Sequence, residues 1–497
     1  MALDKDIYSA FADVVGEENI CDDPVMMAAY YKTDFAAVIM PGNTAEVQAV
    51  VKLCNKYKLK YRPISCGWTG VFIPGTVMLD LRRMDKIIEI DEKNMYAVCE
   101  PYVTSAQLQA ELFKRGLNTN IKGSGAQGSA LLRGHGPMDQ SCGADDRNHL
   151  AVEWVTPEGD LVKIGSLGSC DEFFCGDGPG PSLRGLVQST VPPSCTPGVF
   201  TKVATKVYHW PGPERYHLKG NSPNYSLAEK PPYMMLRYYS FPSVDKLMDA
   251  EYKLGEAEIC FILYGINMAM VSANVTSSNE EQEALFHKIA GEVQGPGFVV
   301  ILAGNSEKDF EYKKKVLETI IAATGGESLK AVEEEPQIED TLMRQCTRVS
   351  GAIRETFRPG GYFKSIPVMG QRDLTVRWAI GAGEAKKPLI EKGLIVDDGG
   401  AFFGWGVEHG HLGKTEIFCA FSPMNPEAWK VVDAWESEEG GRALDENYFA
   451  LTMSPLDVID EKTGPKLSNY HLWWYKVLDE LDPNGVIPLK GVSKLTP

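Results

Sequence analysis

The sequence predicts an α+β fold divided into two domains, and three observations carry that expectation. The chain has 497 residues with 44% hydrophobic content, whereas a single core stops growing near roughly 250–300 residues. Segments of strand and helix periodicity alternate along it, as expected of sheets covered by helices. Glycine (48) and proline (30) punctuate the chain often, which suits short elements joined by loops more than a helical bundle.

From Thr44 to Tyr57 the apolar residues Val47, Val50, Val51 and Cys54 recur at helical spacing, with Thr44 as the expected N-cap. Lys60 to Ile64 reads as a strand and Ser65 to Gly75 as a glycine-punctuated loop. Val77 to Leu81, Ile87 to Ile90 and Ala97 to Glu100 read as further strands, the last broken by Pro101. Ser105 to Arg115 predicts a helix stopped by Gly116. Leu150 to Thr156, the turn Pro157-Glu158-Gly159-Asp160 and Leu161 to Ile164 predict a hairpin. Val199 to Tyr208 is one more strand, and Pro211-Gly212-Pro213 marks a boundary. Beyond it Val244 to Glu256, Glu280 to Val293 and Phe310 to Thr324 read as helices, with a strand from Phe298 to Ala303. Tyr470 to Leu481 predicts a last helix. The expected division is residues 1–212, 213–445 and a C-terminal segment 446–497.

Composition narrows the class. A net charge of -17, from 50 basic and 67 acidic residues, disfavours nucleic acid and anionic membranes as partners. No basic stretch followed by an apolar core opens the chain, and no run of 18 apolar residues occurs, so neither a secretory signal nor a membrane span is expected. The 11 cysteines are scattered and form no C-x-x-C. Reduced thiols and a cytoplasmic location are the expectation.

Two glycine loops invite an anion. Ser65-Cys66-Gly67-Trp68-Thr69-Gly70-Val71 lies between strands, where glycine lets backbone N–H groups approach a diphosphate; a plain turn is the alternative. Gly123-Ser124-Gly125-Ala126-Gln127-Gly128 matches G-x-G-x-x-G. A Rossmann site needs a buried strand before it and a helix after it. Asn118-Thr119-Asn120-Ile121-Lys122 is a poor buried strand, and Gly134 and Gly136 interrupt any helix. A Rossmann nucleotide site is therefore rejected.

The order of the pieces carries a resemblance. The P-x-S-x-G loop, the run LDLRRMDKIIEID, the run VCEPYVT with its helix, Arg133-Gly134-His135-Gly136-Pro137 and Gly143, GPGPSLRGLV from Gly178 to Val187, Gly198 to Lys202, and VLDELDPNGVIPLKG from Val477 to Gly491 follow one another in sequence. The chain thereby resembles the vanillyl-alcohol oxidase and p-cresol methylhydroxylase superfamily, which includes glycolate oxidase flavoprotein subunits. The resemblance covers Thr44 to Pro211 and Tyr470 to Gly491 closely and the middle loosely. It implies a two-domain FAD-binding fold with an α+β cap, the C-terminal segment returning to the FAD domain. The FAD contacts it implies are Ser65, Cys66, Gly67, Trp68, Thr69, Gly70, Val71, Pro101, Gly128, Ser129, Gly134, His135, Gly136, Pro137, Gly143, Gly198, Val199 and Phe200. Trp68 stands where members often carry a small residue. No matching His or Tyr tether is found, so non-covalent FAD is expected. No Arg accompanies Tyr448 in Tyr448-Phe449-Ala450-Leu451-Thr452, a departure from the phenolate clamp of phenol-oxidising members.

Flavin chemistry needs a base for the substrate hydroxyl and groups that aim its C–H. Glu408-His409-Gly410-His411 is the densest polar cluster of the cap. Alternation on a strand would put His409 and His411 on one face, leaving open a general base, a divalent metal with Glu408 or Glu416, or a structural role. The metal-binding members carry a longer motif between their histidines. Arg372 and Arg377 flank DLTV and could hold a carboxylate, surface positions being the alternative. Tyr362, after two glycines, is a candidate hydrogen-bond donor to substrate. The expected function is oxidation of a small alcohol, 2-hydroxy acid or para-alkylphenol, with electrons passed to a partner protein. An oxygen-using oxidase and a non-catalytic FAD-binding subunit remain open. A homo- or hetero-oligomer is expected.

Overall fold

The computed structural model describes residues 3–28, 35–65, 74–120, 136–143, 148–168, 170–173, 197–221, 224–348, 361–400, 402–410, 412–446, 451–452, 465 and 468–488. Its N-terminal portion opens on a four-stranded sheet in the order Ile20–Cys21, Ala37–Ile39, Val77–Asp80, Tyr61–Ile64. Val77–Asp80 runs parallel to both of its neighbours. The Thr44–Tyr57 helix supplies the crossover, and its Val47, Val50, Val51 and Cys54 are buried as their spacing requires. Its N-cap is Asn43 rather than Thr44: the Asn43 side chain accepts from Glu46 N–H, and the Thr44 hydroxyl instead donates to Glu153 at 2.7 Å.

A five-stranded antiparallel sheet follows, ordered Ile87–Asp91, Tyr96–Cys99, Val199–Lys206, His149–Val155, Leu161–Ile164. The hairpin closes with Val155 opposite Leu161. The strand expected from Val199 to Tyr208 breaks after Lys206, and Tyr208–His209 pairs separately with Leu117–Asn118. The Ser105–Phe113 helix ends a turn before Gly116, which takes φ 67° just beyond it.

The eight-stranded sheet is built from residues between 234 and 452. Its order is Glu327–Ser328, Met234–Ser240, Gly297–Ala303, Cys260–Ile266, Phe402–Val407, Leu412–Phe421, Tyr362–Gly370, Leu451–Thr452. All seven residues of Gly297–Ala303 are buried, because both faces are covered. Alternation sends Met235, Leu263 and Val300 to one face, against Leu247, Leu254, Leu317 and Ile321 of two outer helices. It sends Leu236, Tyr264 and Val299 to the other, with Met270, Leu342, Trp405 and, from the N-terminal portion, Phe113, Met138 and Trp210. Within the segment expected to begin at 446, Leu451–Thr452 still pairs with Tyr362–Gly370. Leu478, Val486 and Ile487 pack into the N-terminal core, and Val486 O accepts from Tyr61 N–H at 3.0 Å.

Several helices left no signal that was read from the sequence: Lys5–Val15, Met268–Val275, Pro336–Thr347, Arg372–Glu391 and Pro426–Asp445. All eight residues of Met268–Val275 are buried. A helix buried on every side has no apolar stripe set against an exposed face for periodicity to detect. No helix among the described residues is long and apolar enough to cross a membrane.

Candidate active site at the seam between sheets

Phe402–Val407 and Leu412–Phe421 pair with Val407 opposite Leu412, and residues 408–410 lie in a turn between them. This corrects the strand expected through His409. Glu408 and His409 have φ 50° and 61°, and Gly410 N–H donates to Val407 O at 3.2 Å, the φ pattern of a type I′ turn. Alternation cannot assign faces in a turn. His411 lies outside the described residues, as do Cys66, Gly67, Trp68, Thr69, Gly70, Val71, Gly128, Ser129, Gly134 and His135.

The turn is clamped from two sides. Glu408 N–H donates to Asp139 O and His409 N–H to Gln140 O, both at 2.8 Å, which fastens it to the Asp139–Cys142 helix. Opposite, Gly255 of the Val244–Ala257 helix lies so close that a Cβ there would sit 2.0 Å from His409 O. Nδ1 of His409 is buried and has no hydrogen-bond partner.

Asp139 organises the seam below the turn. Its side chain is fully buried. Oδ2 accepts from Trp405 Nε1–H at 2.7 Å, and Oδ1 accepts from Asn120 Nδ2–H at 3.0 Å and Gly136 N–H at 3.2 Å. The Asn120 amide also donates to Gly143 O. Gly143 takes φ 78°, and a Cβ there would sit 3.0 Å from Glu408 Oε1, so glycine allows the two segments to meet. Next to Asp139, the buried side chain of Gln140 has neither amide atom partnered, and Asn120 Oδ1 and Thr119 Oγ1 are likewise orphaned. Such groups cost free energy unless something supplies their hydrogen bonds. Burial pushes the nearby Cys142 thiol up to about 12, which removes thiolate chemistry from this place at neutral pH.

The other candidates fall elsewhere. Tyr362 faces Phe421 at the opposite end of a strand pair whose near end joins Gly370 to Gly413; eight residues separate the two ends, about 26 Å of strand. There it is 43% exposed and packs on Trp429, with ring centroids 4.9 Å apart. Arg377 is ion-paired with Asp245 on the surface, about 15 Å along the Val244–Ala257 helix from Gly255. Tyr362 and Arg377 therefore do not converge with His409. Arg372 is no surface residue: it is 2% exposed, donates to Glu251 at 2.7 and 3.0 Å, and bonds Thr415 at 2.8 Å.

Among the expected cofactor contacts, Ser65 is buried at the end of the Tyr61–Ile64 strand and Pro101 is buried after Tyr96–Cys99. Gly136 and buried Pro137 lead into the Asp139–Cys142 helix. Gly198 has φ 78°, and a Cβ there would meet Val155 O at 2.3 Å, so strand packing alone demands glycine. Val199 and Phe200 point their side chains into the core opposite Val155 and Trp154. Asp139, Gln140, Asn120 and Trp405 were missed by sequence reasoning. Asp139 and Gln140 lie between Gly136 and Gly143, where attention to glycine hid them, and Trp405 reads as an ordinary core aromatic.

Residues 35–165 match the FAD binding domain family, and the seam residues Asn120 and Asp139 to Gly143 lie within that span. The chain is 28% identical over 230 residues to 1'-carboxy-chondrochloren decarboxylase of Chondromyces crocatus, covering 42% of this chain and 40% of that protein. It is 28% identical over 210 residues to the 4-cresol dehydrogenase [hydroxylating] flavoprotein subunit of Pseudomonas putida, covering 37% and 40%. The matched stretch thus spans about two-fifths of these relatives' length. In fold it is similar to p-cresol methylhydroxylase with substrate bound, at TM-score 0.73 and 18% identity over 97% of this chain and 95% of that one. Residues 35–165 thus carry a match to the FAD binding domain family, and the fold around them is similar to that of p-cresol methylhydroxylase.

Proposed function

We propose that the protein is an FAD-dependent dehydrogenase acting on a small alcohol, 2-hydroxy acid or para-alkylphenol, with His409 as its general base and an electron-accepting protein as its partner. One observation carries the reading: a cap turn fastened to the FAD-binding domain holds a histidine whose Nδ1 is enclosed without a partner. A histidine changes protonation near neutral pH and suits proton transfer.

The residues fit FAD. Orphaned donors and acceptors on Thr119, Asn120, Gln140, Asn148 and Thr205 match a ligand rich in hydroxyls, phosphate oxygens and ring heteroatoms. Gly136, Pro137 and Gly143 would shape the backbone beside it. We place FAD in residues 1–212, held without a covalent bond, and the substrate side in 213–445. When bound, FAD supplies a hydride acceptor at its N5. His409 would take the hydroxyl proton at Nδ1. The bonds that the Asp139 and Gln140 carbonyls accept from Glu408 and His409 N–H fix the backbone that carries it, and the packed Trp405, Phe403 and Tyr264 rings exclude water from behind. Glu408, beside Gly143, is placed to orient the substrate or the imidazole.

The test is turnover of the purified holoprotein with a dye acceptor and with oxygen across the three substrate classes. His409→Ala should lower turnover roughly 10²–10⁴-fold with visible flavin absorbance intact. Oxygen turnover matching the dye would make the protein an oxidase. No turnover with any class, or an unchanged rate in His409→Ala, would overturn the assignment of the base. Acid precipitation should leave the flavin in the supernatant; flavin that stays with the polypeptide would refute non-covalent binding.

A further inference from the structure

The Pro336–Thr347 helix divides its residues between two tasks. Ile338, Leu342, Met343 and Cys346 enter the main core. Thr341, Arg344 and Gln345, with Arg348 directly after the helix, recur at i, i+3, i+4 and i+7 and share another face. The Asn224–Leu227 strand packs over that face. The Arg344 guanidinium lies 4.9 Å from the ring centroid of Tyr225, which is 2% exposed.

This face is polar, partly buried and in part unsatisfied. Tyr225 Oη, Thr341 Oγ1 and Gln345 Oε1 have no hydrogen-bond partner, and Thr341 is fully buried. No described carboxylate pairs with Arg344. The acidic residues of the same helix are engaged elsewhere: Asp340 accepts from Leu227 N–H at 2.8 Å, and Glu339 pairs with Lys230 and Arg237. Burial, and then the charge of Arg344, holds the Arg348 guanidinium below its usual range, as expected of two like charges brought close together.

We infer that Arg344, Tyr225, Thr341 and Gln345 form a binding site for the oxyanion of a small organic acid or phosphate ester that carries a hydroxyl beside its charged group. An oxyanion accepts from the guanidinium and from both hydroxyls, and it neutralises the like-charge repulsion, which water does not. The Gln345 carbonyl oxygen is an acceptor, so the ligand's own hydroxyl is its partner. The site lies near the point where the helix end meets the FAD-binding domain: Thr347 O accepts from Gln109 Nε2–H at 3.3 Å. Its existence does not depend on the assignment of His409.

Titration calorimetry on the holoprotein tests it, with inorganic phosphate in one arm and malate, a hydroxy acid, in the other. One of the two should bind saturably at one site per chain. Arg344→Gln should weaken that binding roughly 10–100-fold with flavin absorbance unchanged. Tyr225→Phe and Thr341→Val should each weaken it several-fold, yet keep or raise the unfolding midpoint of the unliganded protein, because each removes an unpartnered hydroxyl. Preference for phosphate identifies a phosphate ester as the ligand, and preference for malate a hydroxy acid. No saturable binding in either arm would mean that water alone fills the face and would overturn the site. Should Arg344→Gln fail to fold, unchanged affinity in both hydroxyl variants would overturn it equally.

Discussion

The Trp405–Asp139 hydrogen bond joins the eight-stranded sheet to the FAD-binding domain, and breaking it should loosen that joint measurably. Trp405→Phe keeps a ring against Phe403, which stacks on it at 5.8 Å, but removes the N–H that Asp139 Oδ2 accepts at 2.7 Å. A hydrogen bond to a charged group contributes about 1.5–3 kcal/mol. The smaller ring in a position only 2% exposed adds a cavity cost of about 1–2 kcal/mol. The sum, about 2.5–5 kcal/mol, corresponds to a fall in Tm of roughly 5–20 °C for domains of this size. A double-mutant cycle with Asp139→Asn separates the bond from the cavity, since only the bond couples the two sites. Urea unfolding, followed by circular dichroism and by flavin release, gives the four free energies. A coupling of about 1.5–3 kcal/mol is expected. Additivity within about 0.5 kcal/mol would refute the bond as the joint. Trp429→Phe, whose indole N–H donates to Pro423 O at an exposed site, should cost little and serves as the control.

Three further perturbations address the same architecture. Burial pushes the Glu153 carboxyl up, but hydrogen bonds from Thr44, Lys202 and Thr201 outweigh it and hold its pKa below the usual range; its stabilisation is therefore present above about pH 4.3 and lost as pH falls through the lowered folded value. Glu153→Gln should be less stable than the native chain at pH 7, by a margin that shrinks below pH 4, and a margin independent of pH would contradict this. Gly255→Ala would drive its methyl into His409 O and shift the turn, so turnover should fall roughly 10²-fold, as a misplacement near 1 Å can do, while flavin content holds; a native rate would show that the turn tolerates movement. Glu408→Asn, which suits the left-handed backbone, should raise the unfolding midpoint slightly and lower turnover, and a lower midpoint would show that Glu408 is there for the fold.

Much of the fold was legible because its signals were local. The Thr44–Tyr57 helix buried the four residues that its periodicity picked out, and the hairpin around 157–160 closed as its turn chemistry required. The cap of that helix was misplaced by one residue because Asn43 and Thr44 are both good N-caps; the alternative hydrogen bond of Thr44, to Glu153 109 positions away, has no trace in local sequence. The helix Arg372–Glu391 went unread because its start is set by a long-range pair, Arg372 with Glu251. The site was legible in part. The density of Glu408 and His409 singled out the segment now proposed as the site, but strand alternation was applied to a turn. Asp139 and Gln140 hold the turn through their carbonyl oxygens, a backbone role that carries no residue type for sequence reasoning to find, and the partner of the Asp139 carboxylate, Trp405, lies 266 positions away.

The turn itself shows why that density was worth following. Its φ pattern calls for Asn-Gly or Asp-Gly at the two central positions, because a side chain with a Cβ costs about 1–2 kcal/mol in the left-handed region. The chain places Glu408 and His409 there, at φ 50° and 61°, with glycine only at the third position. A local rule is broken where a favourable residue was freely available, and the two hydrogen bonds to Asp139 O and Gln140 O offset the strain only when the cap is docked. The strained conformation therefore depends on the FAD-binding domain, and it points the side chain of a titratable residue, rather than none, into the seam. Strain kept at a turn and stabilised from another domain is what a positioned functional group requires. The Glu408→Asn measurement separates the two halves of this argument: the midpoint reports the strain, and the rate reports what the strain maintains.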